Sequence, residues 1–183
     1  HYSPGNIPII GQVPPLSVCY DTTWKLYLVN LTDPSLINGG TRTKTAGGRV
    51  YTFYYTSWAD WPVSKGAPFA EINNIPGYQP GWNSDRPGIG NDSKARPEEI
   101  CFNVFMDYTD CTNDLHSSEI SLPGGTLPLG VEFQQIIFAF NCPLLNNTYF
   151  VKYRIINKSL LNWDSTYISI TNDIDLGYAS DDT

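Results

Sequence analysis

The sequence predicts an all-β domain, a β-sandwich of jelly-roll or immunoglobulin-like type with long irregular loops and an extended N-terminal arm. Three observations predict it. Runs such as RVYTFYYTS (49–57) and TYFVKYRIIN (148–157) are rich in β-branched and aromatic residues. Proline- and glycine-rich turns separate these runs, and no stretch carries an amphipathic helical period with caps. Charged residues make up only 16% of the 183 residues and aromatics 14%, a balance suited to a β-rich extracellular protein.

The N-terminal arm, residues 1–18, carries four prolines and two glycines among isolated apolar residues. Proline removes backbone donors and favours extended backbone, so an arm is expected rather than a helix. It would serve either as a strap over the domain's own core or as a connector to a neighbouring molecule. Residues 19–183 are expected to form one β-sandwich domain, a length that suits a single core.

TWKLYLVN (23–30) alternates and reads as a strand, followed by the turn-rich DPSLINGGTRTKTAGG (33–48) and the strand 49–57. Residues 58–99 hold six prolines and lack periodicity, so a long irregular region is expected there. EICFNVFMDY (99–108) reads as a strand and HSSEISLPGGTLPLG (116–130) as turns with a short edge piece. VEFQQIIFAFN (131–141) is apolar on both faces toward its end, as a central strand is. In 148–157, Phe150, Lys152 and Arg154 point one way and Tyr149, Val151, Tyr153 and Ile155 the other. WDSTYISI (163–170) is the next expected strand, with KSLLN (158–162) as a hairpin connection.

The net charge of −7 argues against nucleic acid, whose phosphates need clustered Lys and Arg. No apolar run is long enough for a transmembrane segment. His1 is not a start residue, so the chain is expected to be a mature or trimmed product. Cys19, Cys101, Cys111 and Cys142 form no C-x-x-C pair, and their even number points to two disulfides with three possible connectivities. Cys101 and Cys111 would close a short loop, leaving Cys19 with Cys142; buried free thiols are the alternative. Asn30, Asn91, Asn146 and Asn157 head N-x-S/T sequons and are weak glycosylation candidates.

GAPFAEINNIPGYQP, GGTLPLGVEFQQIIFAF, YFVKYRIINKS, WDSTYISI and NDIDLGYASDD resemble a poorly characterised family of bacterial secreted and cell-surface proteins. Such proteins occur in Bacteroidetes and Ignavibacteria and are often substrates of type IX secretion. The resemblance covers roughly residues 55–183. It implies an extracellular or cell-surface location, and family members commonly continue beyond the aspartate stretch, so the chain is expected to be part of a longer protein.

TNDIDLGYASDDT (171–183) places four aspartates within ten positions. Calcium takes six to eight oxygen ligands, and carboxylates this close repel one another unless a cation neutralises them. Asp173, Asp175, Asp181 and Asp182 are therefore candidate ligands of a structural Ca2+. Glu71, Asn73 and Asn74, ahead of Gly77, form a weaker second set. Asp107, Asp110 and Asp114 are expected in an exposed, disulfide-bounded loop. His116 sits beside two serines without a G-x-S-x-G motif, and no metalloprotease, P-loop or Rossmann fingerprint occurs, so no enzyme is expected.

These features predict a non-catalytic extracellular structural or interaction protein. It would be a subunit of a surface filament, sheath or adhesin, assembling through its arm with other copies or other cell-surface proteins. The alternative is a calcium-stabilised carbohydrate-binding module offering Trp58, Trp61 and Trp82 to glycans.

Overall fold

The computed structural model describes residues 3–19, 26–67, 97–108 and 127–169. Antiparallel strands are the main regular structure among them: β1 (Ser3–Pro4), β2 (Tyr27–Asn30), β3 (Asn38–Ala46), β4 (Arg49–Ser57), β5 (Glu99–Met106), β6 (Val131–Ala139) and β7 (Tyr149–Asn157). One short helix, α1 (Leu16–Cys19), and three 3-10 turns complete the set.

A five-stranded sheet runs β1-β5-β6-β7, with β2 also paired to β5. β1 and β2 share one side of β5. Ser3 and Pro4 face Met106 and Phe105, while Tyr27–Asn30 faces Phe102–Glu99. β6 is the central strand its double apolar character predicted, flanked by β5 and β7 along its length.

Side-chain alternation sorts the sheet into two faces. Ile100, Phe102, Val104 and Met106 point to the core and are at most 3% exposed. On this side Tyr27, Val29, Leu31, Trp58, Trp61 and Phe138 pack with the first three, and Ile7 and Tyr108 with Met106. The other face carries Glu99, Cys101, Asn103 and Phe105 beside Ala139, Ile137, Gln135 and Phe133 of β6. It is half-buried, with Phe105 stacked on Phe133 at 5.0 Å and Asn103, Gln135 and Tyr153 hydrogen-bonded in a row.

The β3–β4 hairpin packs by Tyr55 near Leu28, Leu36 and Cys101 on this second face. Its turn, Gly47–Gly48, has φ of 56° and 74°. Both residues lie in the left-handed region, as tight hairpin turns whose twist matches the strands require. β3 falls within the stretch the sequence predicts as a turn-rich connection. NGGTRTKTA lacks apolar alternation, and its strand state comes from register with β4 from Asn38↔Ser57 to Ala46↔Arg49.

The arm is partly a strap on its own sheet. Beyond β1, the Gly5 N–H donates to Val104 O at 3.1 Å, and Ile7 is 1% exposed against Met106, Tyr108 and Val18. The arm also ends in α1, where extended backbone is predicted. A second difference concerns 163–169. The predicted strand and hairpin do not form there: the segment pairs with no described strand, and Ser165 has a φ of 54°. The physical reason is the connection. Lys158 N–H donates to Gly130 O, Lys158 O accepts from Gly11 N–H, and the Asn157 amide binds Leu161 O and the Ser159 N–H. Those bonds turn the chain toward β6 rather than back along the outer side of β7.

Candidate functional site

The calcium candidates Asp173, Asp175, Asp181, Asp182, Glu71, Asn73 and Asn74 lie outside the described residues, as do Trp82, Asn91, Cys111, Asp110, Asp114 and His116. Among the described residues no group of three or more His, Cys, Asp or Glu side chains could hold a metal ion.

Trp58 and Trp61 are core residues, 5% and 4% exposed, and neither presents a ring face to a glycan. Trp58 Nε1–H donates to Asn30 O at 3.0 Å, and Trp61 packs against Phe102 with ring centroids 6.0 Å apart. Large aromatics bury 150–250 Å² each by general survey, so the core claims them first.

Asn30 is 0% exposed and is no glycan acceptor in the folded chain. Its Oδ1 accepts the N–H groups of Thr32 and Asp33 at 2.9 and 2.7 Å, and its Nδ2 faces Glu99. Asn146 and Asn157 are exposed. Among the described residues Cys101 and Cys142 carry free thiols, and Cys111 lies outside them. Cys101 sits mid-strand between Leu28 and Ile137. Burial, aided by the negative charge of Glu99, pushes its thiol pKa up to about 11.

Asp107 is buried rather than part of an exposed loop. Its carboxylate accepts the N–H groups of Leu129 and Val131, so its oxygens close the turn into β6.

Two polar arrangements, one buried and one half-exposed, had no signal in the sequence beyond an acid within an apolar run. Glu132, 1% exposed, accepts from the Ile7 N–H, Asn6 Nδ2 and Gln134 Nε2, each at 2.9 Å. Lys158 Nζ stands 3.7 Å away. Gly66, beside Gln134, has φ +100°, and a Cβ there would fall 2.3 Å from Gln134 Nε2, so a side chain at this position is strained and displaces the Gln134 amide. At the other end of the sheet Arg42 bridges Asp33, Glu98 and Glu99 at 3.1–3.3 Å, and Tyr55 donates its hydroxyl to Glu99. The Ser35 hydroxyl and N–H, with Arg42, hold Asp33 below the usual carboxylate value. Both arrangements fasten segments to the sheet.

What remains open to a partner is apolar. On β7, Tyr149 is 70% exposed and Tyr153 49%; beyond it Leu160, Leu161, Tyr167 and Ile168 are 73–91% exposed. Among the described residues no strand covers the outer side of β7. A groove of about 600 Å³ runs between Val131, Phe133 and Ile155 and the segment from Asn162 to Ser169. β7 carries Lys152 and Arg154 and no acid.

No family model, curated protein or solved structure matches the chain. Among the described residues no helix is long and apolar enough to cross a membrane, which says nothing of β-barrels.

Proposed function

We propose that the chain is a non-catalytic extracellular interaction protein, a self-associating subunit of a surface filament, sheath or adhesin. The observation that carries this reading is the exposed apolar set on β7 and 160–168. Exposed apolar side chains scattered singly need no explanation, but several gathered on and just beyond a strand whose outer side no described strand covers mark a contact surface. The low charge and the resemblance to secreted proteins support the location. The arm, expected from sequence as the connector, spends residues 3–7 on its own sheet. The connector is therefore sought at β7.

The proposed architecture is a β-sandwich, with the β3–β4 hairpin contributing to the second layer over Leu28 and Cys101. A structural Ca2+ on Asp173, Asp175, Asp181 and Asp182 belongs to the same proposal, on the grounds of carboxylate crowding. Sedimentation of the chain over a range of concentrations tests the functional reading. Mass is expected to rise with concentration, and a monomer throughout would refute self-association.

A further inference from the structure

Two features of this chain are complementary and both exposed. One is the outer side of β7, to which no described strand is paired. An edge strand presents a row of N–H and C=O groups that pair readily with an added strand. The other is the segment from Trp163 to Ser169, which lies in no strand; its Tyr167 and Ile168 are 91% and 73% exposed.

We infer that the Trp163–Ser169 segment of one copy adds antiparallel to β7 of a second copy; this rests on the self-association reading above. One register satisfies charge and size together. Setting Asp164 opposite Arg154 also sets Ile168 opposite Phe150 on the same face. On the other face it sets Trp163 opposite Ile155 and Tyr167 opposite Val151. Opposed pairs of opposite charge, and aromatic–aliphatic pairs, are the units of sheet stabilisation. Pairing β7 with another β7 does not have this property. That strand carries two cations and no acid, and an antiparallel pairing centred on Tyr153 opposes Lys152 to Arg154.

The partner is a second copy rather than the same chain because the connection is pinned. Gly130 O, Gly11 N–H and the Asn157 amide hold residues 157–161 in a turn directed toward β6. From there the segment runs beside Leu129, Val131 and Phe133, forming one wall of the groove. Pairing with its own β7 requires breaking those bonds; pairing with another copy keeps them and requires only that Ser165 leave its φ of 54° for extended backbone. A molecule that offers a donor at one place and an acceptor at another makes a head-to-tail contact, and repetition of that contact yields an open polymer.

The test is analytical ultracentrifugation of the full chain and its variants. Tyr167→Pro removes a backbone donor at an exposed position, and Ile168→Lys places a charge opposite Phe150. Each is expected to leave the melting temperature unchanged and to abolish the rise of mass with concentration. Asp164→Arg and Arg154→Asp are each expected to weaken association about fivefold. An equimolar mixture of the two is expected to restore it, since each chain then meets its complement on the other. Assembly that persists in Tyr167→Pro and Ile168→Lys overturns the strand donor while leaving self-association standing. Wild-type chain that is monomeric at every concentration overturns both. A monomer whose melting temperature falls on Tyr167→Pro shows that the segment pairs with its own chain, which overturns the exchange. Failure of the charge-reversed mixture to recover overturns the register.

Discussion

The carboxylate of Glu132 accepts the backbone N–H of Ile7 at 2.9 Å across 125 positions of chain. The same carboxylate takes the Asn6 amide, so one buried side chain on the central strand fixes the N-terminal arm. Glu132→Ala leaves these donors unpaired in a dry site and is expected to cost about 3 kcal/mol of stability. Urea denaturation measures the loss. Faster amide exchange at Ile7 than at Phe102 would place it in the arm.

Trp58→Ala is expected to destabilise by about 3–5 kcal/mol, because the indole is buried and its N–H closes on Asn30 O. The carbohydrate-binding alternative makes the opposite forecast, a stable fold with weakened glycan binding. Thermal melts and a glycan-binding assay on the same variant separate the two.

Asn30 is expected to stay unmodified in a glycosylating host, and Asn157 and Asn146 are the accessible acceptors. Asn30→Ala is expected to cost about 1–3 kcal/mol, since two backbone N–H groups lose their acceptor. Peptide mapping and a denaturation curve read the two outcomes.

Alkaline pH is expected to destabilise the fold. The thiol of Cys101 is raised from an ordinary 9.0 to about 11 by burial and then Glu99, and Tyr55 is raised from 10.0 by burial and its bond to Glu99. A raised group holds its proton more tightly when folded. Its contribution is therefore whole below the unfolded value and is lost as pH rises through the folded one. Melting temperature is expected to fall from near pH 9.0 upward, and Cys101→Ala to remove the earliest part of the fall. Cys101 is also expected to alkylate more slowly than Cys142 at neutral pH.

Calcium is expected to raise the melting temperature and EDTA to lower it, because an ion bound only by the native form adds its binding free energy to stability. Asp173→Asn with Asp175→Asn is expected to abolish the difference. Indifference to chelator in the unaltered chain would remove calcium from the proposal.

Four strands were legible because their side chains carry the signal. β4, β5, β6 and β7 begin and end within two residues of the alternating or continuously apolar runs that announced them. β3 was not, since its polar, glycine-containing residues gain strand geometry from β4 and from Arg42, which reaches Asp33, Glu98 and Glu99. A further strand was expected at 163–170, where the bonds of Asn157 and Lys158 send the chain elsewhere. Burial of Trp58 and Trp61 was readable from their size. The role of Glu132 was not, because a carboxylate in an apolar run gives no hint that residues 6 and 7 will meet it.

β5 receives β2 at one end and β1 at the other, along the same side. Residues 3–7 therefore find their seat only after residue 106 has emerged from the ribosome, and their clamp only after residue 132. Closures over such separations are slow to form, and the socket for Ile7 stays open to competitors in the meantime. Nascent chains of this protein are thus expected to pass through a stage in which β5 is half dressed, with Met106 as its bare end.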